Sequence, residues 1–271
     1  MNKNLQYNEK VLKLMNNLFK KYLYKFINKK KYKIYQDKQN ELNNFKVHLE
    51  KDINQIQRDI KNKKELNFLH SGTSGDVINA LPVIKELSKT HICRLYIGVE
   101  KPIKKVRPNN FSRYLIPNKT YQMLMPLLKT QNYLTEVKKF TDQKIDINFD
   151  MFRNFPMSLQ FDNLRYYFHI TGIHADVLSP YLNVNEHEKL KNKIVIHRAL
   201  RYTNHLINYK FLEKFNDLIF IGIMDEYKDL KKNVNNLEFH DCKDFHEMAM
   251  IIKSCRFFIG SSSNWSCYAE G

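Results

Sequence analysis

Leu66-Asn67-Phe68-Leu69-His70-Ser71-Gly72-Thr73-Ser74-Gly75-Asp76-Val77-Ile78-Asn79-Ala80-Leu81-Pro82 is the stretch whose reading decides the fold. Leu66–His70 is a short apolar run of strand type. Ser71–Gly75 is a turn of small residues, and from Asp76 to Ser88 the apolar positions Val77, Ile78, Leu81, Val83, Ile84 and Leu87 fall at helical spacing. Pro82 is expected in the second turn, about where a proline near a helix N-terminus is still tolerated. A strand that passes through glycines into a helix is the opening unit of a parallel α/β sheet.

Downstream the alternation continues. Strands are expected at 94–99 and 144–149, with helices at 120–129 and 158–170, and residues 181–188 read as a linker. The second half repeats the theme, with strands at 193–197, 218–223, 237–240 and 256–260, a helix at 245–254 and another beginning at 266–271. Two such series in tandem imply two Rossmann-like lobes, 66–185 and 186–271, with a cleft between them.

Upstream, residues 1–65 have no Gly and no Pro and carry 17 Lys/Arg against 7 Asp/Glu. Apolar residues from Val11 to Phe26 keep helical spacing among lysines, and a second helical stretch is expected at 36–61. A basic amphipathic extension of this kind docks on an anionic membrane surface through residues 1–35, or packs on its own body or on a partner chain.

The whole chain of 271 residues has a formal charge of +17 and is 43% hydrophobic, enough for real cores. Such charge suits nucleic acid, anionic lipid or phosphorylated ligands. Abundant Lys, Asn, Ile and Tyr also point to an AT-rich coding bias, and no nucleic-acid-binding motif accompanies the charge. No apolar run reaches the roughly 18 residues of a membrane span, and the N-terminus lacks a signal-peptide pattern. The expected location is cytoplasmic, peripheral to the inner face of the membrane. Cys93, Cys242, Cys255 and Cys267 form no C-x-x-C pair and read as small buried hydrophobes.

Three constellations carry chemistry. In the first, Gly72, Thr73, Ser74 and Gly75 let backbone N–H groups approach a ligand, and Asp76 serves either as a helix cap or as a general base. The loop has neither the Lys of a Walker A motif nor the G-x-G-x-x-G fingerprint. In the second, Arg198 and Arg201 stand just past a strand, as solvated surface arginines or as a fork for a diphosphate. In the third, Gly260, Ser261, Ser262 and Ser263 lead into a helix, a natural phosphate cradle. Glu270, on that helix, is either an exposed glutamate or an acceptor for ribose hydroxyls.

Other patterns are set aside. Asp146-x-Asn148-x-Asp150 lacks the Gly and terminal Glu of a calcium loop. The ten histidines show no H-x-x-x-H spacing, and no G-x-S-x-G elbow is present. No metal and no cofactor are expected.

Gly75-Asp76-Val77-Ile78-Asn79-Ala80-Leu81-Pro82 resembles the G-D-V-x-x-x-L-P signature of the heptosyltransferase-like glycosyltransferases, family 9 of the GT-B fold. Residues 145–156, 161–172 and 194–271 resemble later parts of the same family, including Phe220-Ile221-Gly222 and Phe258-Ile259-Gly260-Ser261. The resemblance implies inverting, metal-independent transfer of a sugar from a nucleoside-diphosphate donor to a glycan or lipid-linked acceptor in cell-surface glycan synthesis. Asp76 would be the base. Arg198, Arg201 and the backbone after Gly260 would face the diphosphate. Against the family pattern the sequence reads as C-terminally short. Two rivals stand beside this reading: a non-catalytic binder of nucleotides or glycans, and a nucleic-acid-binding protein driven by the basic extension.

Overall fold

The computed structural model describes residues 28–103, 113–155, 163–204, 206–261 and 264–271, together with Phe19, Tyr22 and Lys25. Within these, the side chains of residues 31, 38, 39, 41–48, 163, 201, 264 and 265 are not described. The chain divides into two compact units, Met1–Asn54 with Asn154–Met157, and Gln55–Arg153 with Ser158–Gly271. A single helix, α1 (Lys29–Asn62), runs from the first into the second. It covers the second helical stretch, expected at 36–61, and begins earlier, at Lys29, with no Gly or Pro inside it. Most of the first stretch, from Val11 to Phe26, lies outside the described residues. Most of the basic segment assigned to membrane contact, residues 1–35, lies outside the described residues. No helix among the described residues is long and apolar enough to cross a membrane.

Two four-stranded sheets, each wholly parallel, occupy the second unit. The first is built from β1 (Glu65–His70), α2 (Ser74–Leu87), β2 (Ile92–Ile97), α3 (Asn118–Lys129), β3 (Glu136–Lys139) and β4 (Ile147–Asn148). A 3-10 turn at Phe149–Asn154 and helix α4 (Asn163–Thr171) follow. The strand order is β3-β2-β1-β4. The expected strand at 144–149 is reduced to two residues, with Phe149 already in the 3-10 turn.

The second series is β5 (Ile194–His197), 3-10 turns at Leu200–Tyr202 and Tyr209–Lys214, β6 (Leu218–Ile221), α5 (Met224–Lys231), β7 (Glu238–His240), α6 (Phe245–Ser254), β8 (Phe257–Gly260) and α7 (Asn264–Glu270). Its order is β7-β6-β5-β8, matching the first sheet strand for strand. Every residue of β5 and β6 is buried, as befits parallel strands covered on both faces. Ile194, Ile196, Leu212, Phe220, Leu230 and Leu237 form their core.

The start of α2 corrects one expectation. Thr73, not Asp76, is the N-cap, so Pro82 lies well inside the helix and not in its second turn. Its missing N–H leaves the helix one hydrogen bond short at a buried position. Helices also tie the two halves together: α2 packs on α7, and α3 on α6. The N–H groups of Tyr181 and Leu182, at the start of the link between the sheets, both donate to the carbonyl of Gly271.

Candidate functional site

In a parallel sheet, ligands are received at the carboxyl ends of the strands, where the strand order reverses. In the first sheet the reversal lies between β1 and β4, and in the second between β5 and β8. The loop 71–75 leaves β1 at this point and the 3-10 turn of Phe149–Asn154 leaves β4. The residues after His197 leave β5, and Ser261 follows β8. Three of the constellations read from sequence therefore sit at switch points.

The first site is tightly built. Thr73 and Asp76 form a reciprocal capping box: the Asp76 N–H donates to Thr73 Oγ1 at 3.4 Å, and the Thr73 N–H donates to Asp76 Oδ2 at 2.7 Å. The same Oδ2 accepts from the Thr73 hydroxyl at 2.9 Å and from Arg153 Nη2 at 2.6 Å. Three of these bonds end on one carboxylate oxygen. Arg153 lies over the Phe152 ring at 4.6 Å, and Asp76 is almost fully buried. Ser74 and Gly75 are buried in the first turn of α2.

Behind the loop stands a buried imidazole. His70 Nδ1 accepts the N–H of Gly72 at 2.9 Å, so the neutral ring carries its proton on Nε2. That proton goes to Tyr167 Oη, 2.8 Å away, and the tyrosine hydroxyl donates to the backbone carbonyl of Asp76 at 2.9 Å. Burial pushes the His70 pKa down to about 4, with Arg153 acting in the same direction and Asp76 and Asp150 against it. Burial likewise drives the Tyr167 hydroxyl well above its ordinary value. At Gly72 a Cβ would lie 2.5 Å from His70 Cε1 and 2.8 Å from Asp76 Oδ2, so only glycine lets the loop lie this close to both.

Asp150 holds the other side. It accepts from the Ser71 N–H at 2.6 Å and from Lys101 at 2.7 Å. Burial works to raise its pKa, but Lys101, His70 and the Ser71 N–H outweigh it and hold the carboxyl below its usual value. Asp146 accepts from the Asn67 N–H and from Lys63. The acidic run 146–150 thus fastens the edges of β1 and its loop.

The second site is tied differently. Arg198 was expected to face a diphosphate. It is buried, donates through Nη2 to the Asp229 carboxylate, and lies 5.6 Å from the Tyr209 ring. Its Nε is buried without a hydrogen bond. The reason is topological: α5, unseen in the sequence reading, carries Asp229 to the carboxyl end of β5. Arg201 lies in the 3-10 turn 200–202, and its side chain is outside the described residues. Ser261 Oγ accepts from the Ala199 N–H at 3.0 Å, and the Ser261 N–H donates to the His197 carbonyl at 3.1 Å. Gly260 ends β8, and Glu270 is exposed at the end of α7. Ser262 and Ser263 lie outside the described residues.

One contact joins the two sites. Helix α7 begins just after the serine run and packs on α2, which Asp76 helps to cap. Burial pushes the Cys267 thiol on α7 up to about 12; the charges of Glu270 and Asp76 add to this, and Asn79 opposes it. Asp76, Asn79 and Cys267 are thus neighbours. Sequence reasoning missed Arg153, Asp150, Lys101, Tyr167 and Asp229. None is part of a local motif, and each reaches its site through sheet order.

The sequence matches no protein-family model and no curated protein. Among solved structures, the chain is similar to a glycosyl transferase family 9 protein from Veillonella parvula, at 9% identity and a TM-score of 0.47, over 76% of this chain and 77% of that one. It is similar to the iron-containing dodecameric glycosyltransferase TibC from enterotoxigenic E. coli, at 13% identity and a TM-score of 0.45, over 76% of this chain and 55% of that one. It is also similar to the E. coli heptosyltransferase WaaC with ADP-2-deoxy-2-fluoro heptose, at 10% identity and a TM-score of 0.39, over 76% of this chain and 85% of that one.

Proposed function

We propose that this chain is a glycosyltransferase of GT-B type that moves a sugar, with inversion, from a nucleoside-diphosphate donor to a glycan or lipid-linked acceptor, without a catalytic metal. The observation that carries the reading is the placing of a buried, oriented carboxylate at one switch point and of a buried guanidinium at the corresponding switch point of a second sheet. Residues 66–185 serve the acceptor and residues 186–271 the donor. The sites work in the cytoplasm, with residues 1–35 resting on the inner face of the membrane.

Asp76 is the base. Thr73 and Arg153 hold Oδ2, so Oδ1 is the oxygen left to take a proton. As the acceptor oxygen attacks the anomeric carbon, its proton passes to Asp76 and the bond from that carbon to the diphosphate oxygen breaks from the opposite face. Negative charge grows on the departing diphosphate. Arg198, Arg201 and the N–H groups and hydroxyls after Gly260, from Ser261 to Ser263, receive it. Arg198 exchanges Asp229 for phosphate oxygens when donor binds. Glu270 accepts from the ribose hydroxyls.

A transfer assay over a panel of nucleoside-diphosphate sugars tests the reading. Asp76→Asn keeps the capping geometry but removes the base, and turnover is expected to fall by about 10²–10⁴-fold. Full activity in this variant would end the assignment.

A second reading is favoured by the same bonds. A carboxylate that completes a capping box and pairs with an arginine is also what a purely structural Asp76 looks like. On that reading the chain is a non-catalytic binder of nucleotides or glycans. Calorimetry then shows nucleoside diphosphate binding with no turnover of any donor.

A further inference from the structure

His187, His240 and Glu247 come together far from one another in sequence, on the irregular segment before β5, at the end of β7 and in the first turn of α6. One donor atom from each lies within 4.8 Å of the others. Glu247 Oε1 is 3.3 Å from His240 Nε2 and 3.6 Å from His187 Nε2, and the two rings meet edge to face with centroids 6.2 Å apart. Both distances are long for an imidazole–carboxylate hydrogen bond, which closes to about 2.7–2.9 Å. They match the roughly 3.3 Å edge of a tetrahedron of nitrogen and oxygen ligands placed about 2.0 Å from a zinc ion.

The carboxylate is also held as a ligand requires. Its Oε2 accepts the Lys243 N–H at 2.7 Å, and the Glu247 N–H donates to Asp244 Oδ1 at 2.8 Å, so Oε1 is left facing the histidines. All three side chains are partly exposed, which leaves an entry path.

From this geometry we infer a binding site for a divalent transition ion of the zinc class, with His187, His240 and Glu247 as protein ligands and water in the remaining position. None of the three belongs to the residues given roles in transfer, and the ion would be structural. The segment carrying His187 is already moored on α6: the His187 N–H donates to Ser254 Oγ at 2.5 Å, and Lys253 to the Val184 carbonyl at 2.6 Å. A metal would complete that mooring by adding the edge strand β7. His187 is the weakest ligand. Its Nδ1 accepts long contacts from the N–H groups of Lys189 and Leu190, at 3.3 and 3.2 Å, and ligation at Nε2 moves the ring proton onto that nitrogen.

The test uses the full chain without an affinity tag, stripped with EDTA and titrated with zinc by calorimetry, with metal content measured after dialysis. One zinc per chain is expected, with a melting temperature that rises on zinc addition and returns with EDTA. His240→Gln and Glu247→Gln each weaken zinc binding by about 100-fold, and His187→Gln by about 10-fold. Cobalt(II) replaces any variant that folds poorly: in the unaltered chain it gives the visible bands of a tetrahedral nitrogen–oxygen site. No stoichiometric zinc, unchanged affinity in all three variants, or a thiolate-to-cobalt charge-transfer band would each overturn the site.

Discussion

His70 and His197 occupy the same place in two halves of one molecule. Each is the last residue of the strand at its sheet's switch point, β1 and β5, and each is buried. Yet they hold opposite tautomers. His70 accepts at Nδ1 from Gly72, in its own loop, and gives its Nε2 proton to Tyr167. His197 instead donates its Nδ1 proton to the carbonyl of Ile221, on the neighbouring strand β6, at 3.0 Å. The first imidazole organises the loop that follows it, and through Tyr167 it reaches the backbone of Asp76. The second organises the sheet. Gly222, at φ +149°, permits this: a Cβ there would lie 3.0 Å from His197 Nδ1. The same strand-end position thus supports a pre-formed carboxylate site in one half and a firm strand pair in the other.

Acid breaks this comparison hardest. Burial holds both histidines at about 4, with the Ile221 hydrogen bond opposing it at His197. In the unfolded chain each titrates near 6.5. A folded pKa below the unfolded one means that the stability each contributes is complete above about pH 6.5 and is lost as pH falls toward 4, by about 3 kcal/mol apiece. Melting temperature measured from pH 7.5 to 4.5 should fall steeply through this window, and a flat profile would contradict the burial of both rings. The tautomers sharpen the expectation. Protonating His70 places a proton on Nδ1 against the Gly72 N–H and opens the loop, whereas protonating His197 leaves its Nδ1 bond intact. Amide exchange should therefore lose protection at Gly72 before it does in β6.

Much of this arrangement was legible in the chain. The stretch from Leu66 to Leu81 carries its strand, glycines and helix within a few residues, so the order strand, loop, helix was legible from local pattern, although the helix starts at Ser74 and puts Asp76 inside its first turn. The helix at Phe245–Ser254 was read to the residue. Strand β3 was not, because Glu136-Val137-Lys138-Lys139 is a charged edge strand with no apolar alternation. Helix α5 was missed because Met224–Lys231 is mostly charged, with only Leu230 and Glu226 buried. Missing α5 also hid Asp229 and made Arg198 look unpaired. Arg153, Asp150 and Tyr167 lie 77 to 91 residues beyond the loop residues they touch. No spacing rule spans such a distance; strand order does.

Tyr167→Phe breaks the link between the first imidazole and Asp76 while keeping the ring packed against Phe149 and Phe152. His70 Nε2 then has lost its buried acceptor, and the Asp76 carbonyl has lost a donor. Urea denaturation should show a loss of about 1–3 kcal/mol, the cost of stranding buried polar groups. A change below about 0.5 kcal/mol, in the range of a neutral surface substitution, would mean the relay carries no weight.

Ser261→Ala makes the parallel cut in the second half, and its effect should be smaller. Ser261 Oγ accepts the Ala199 N–H across the switch point between β5 and β8, but Ser261 is only partly buried, so water can take over the freed N–H. The backbone bond from the Ser261 N–H to the His197 carbonyl remains. A loss of about 0.5–1.5 kcal/mol by urea denaturation is expected, as for one ordinary hydrogen bond. If Ser261→Ala costs more than Tyr167→Phe, the second half rests on its loop as heavily as the first, and the division of labour drawn from the two tautomers fails.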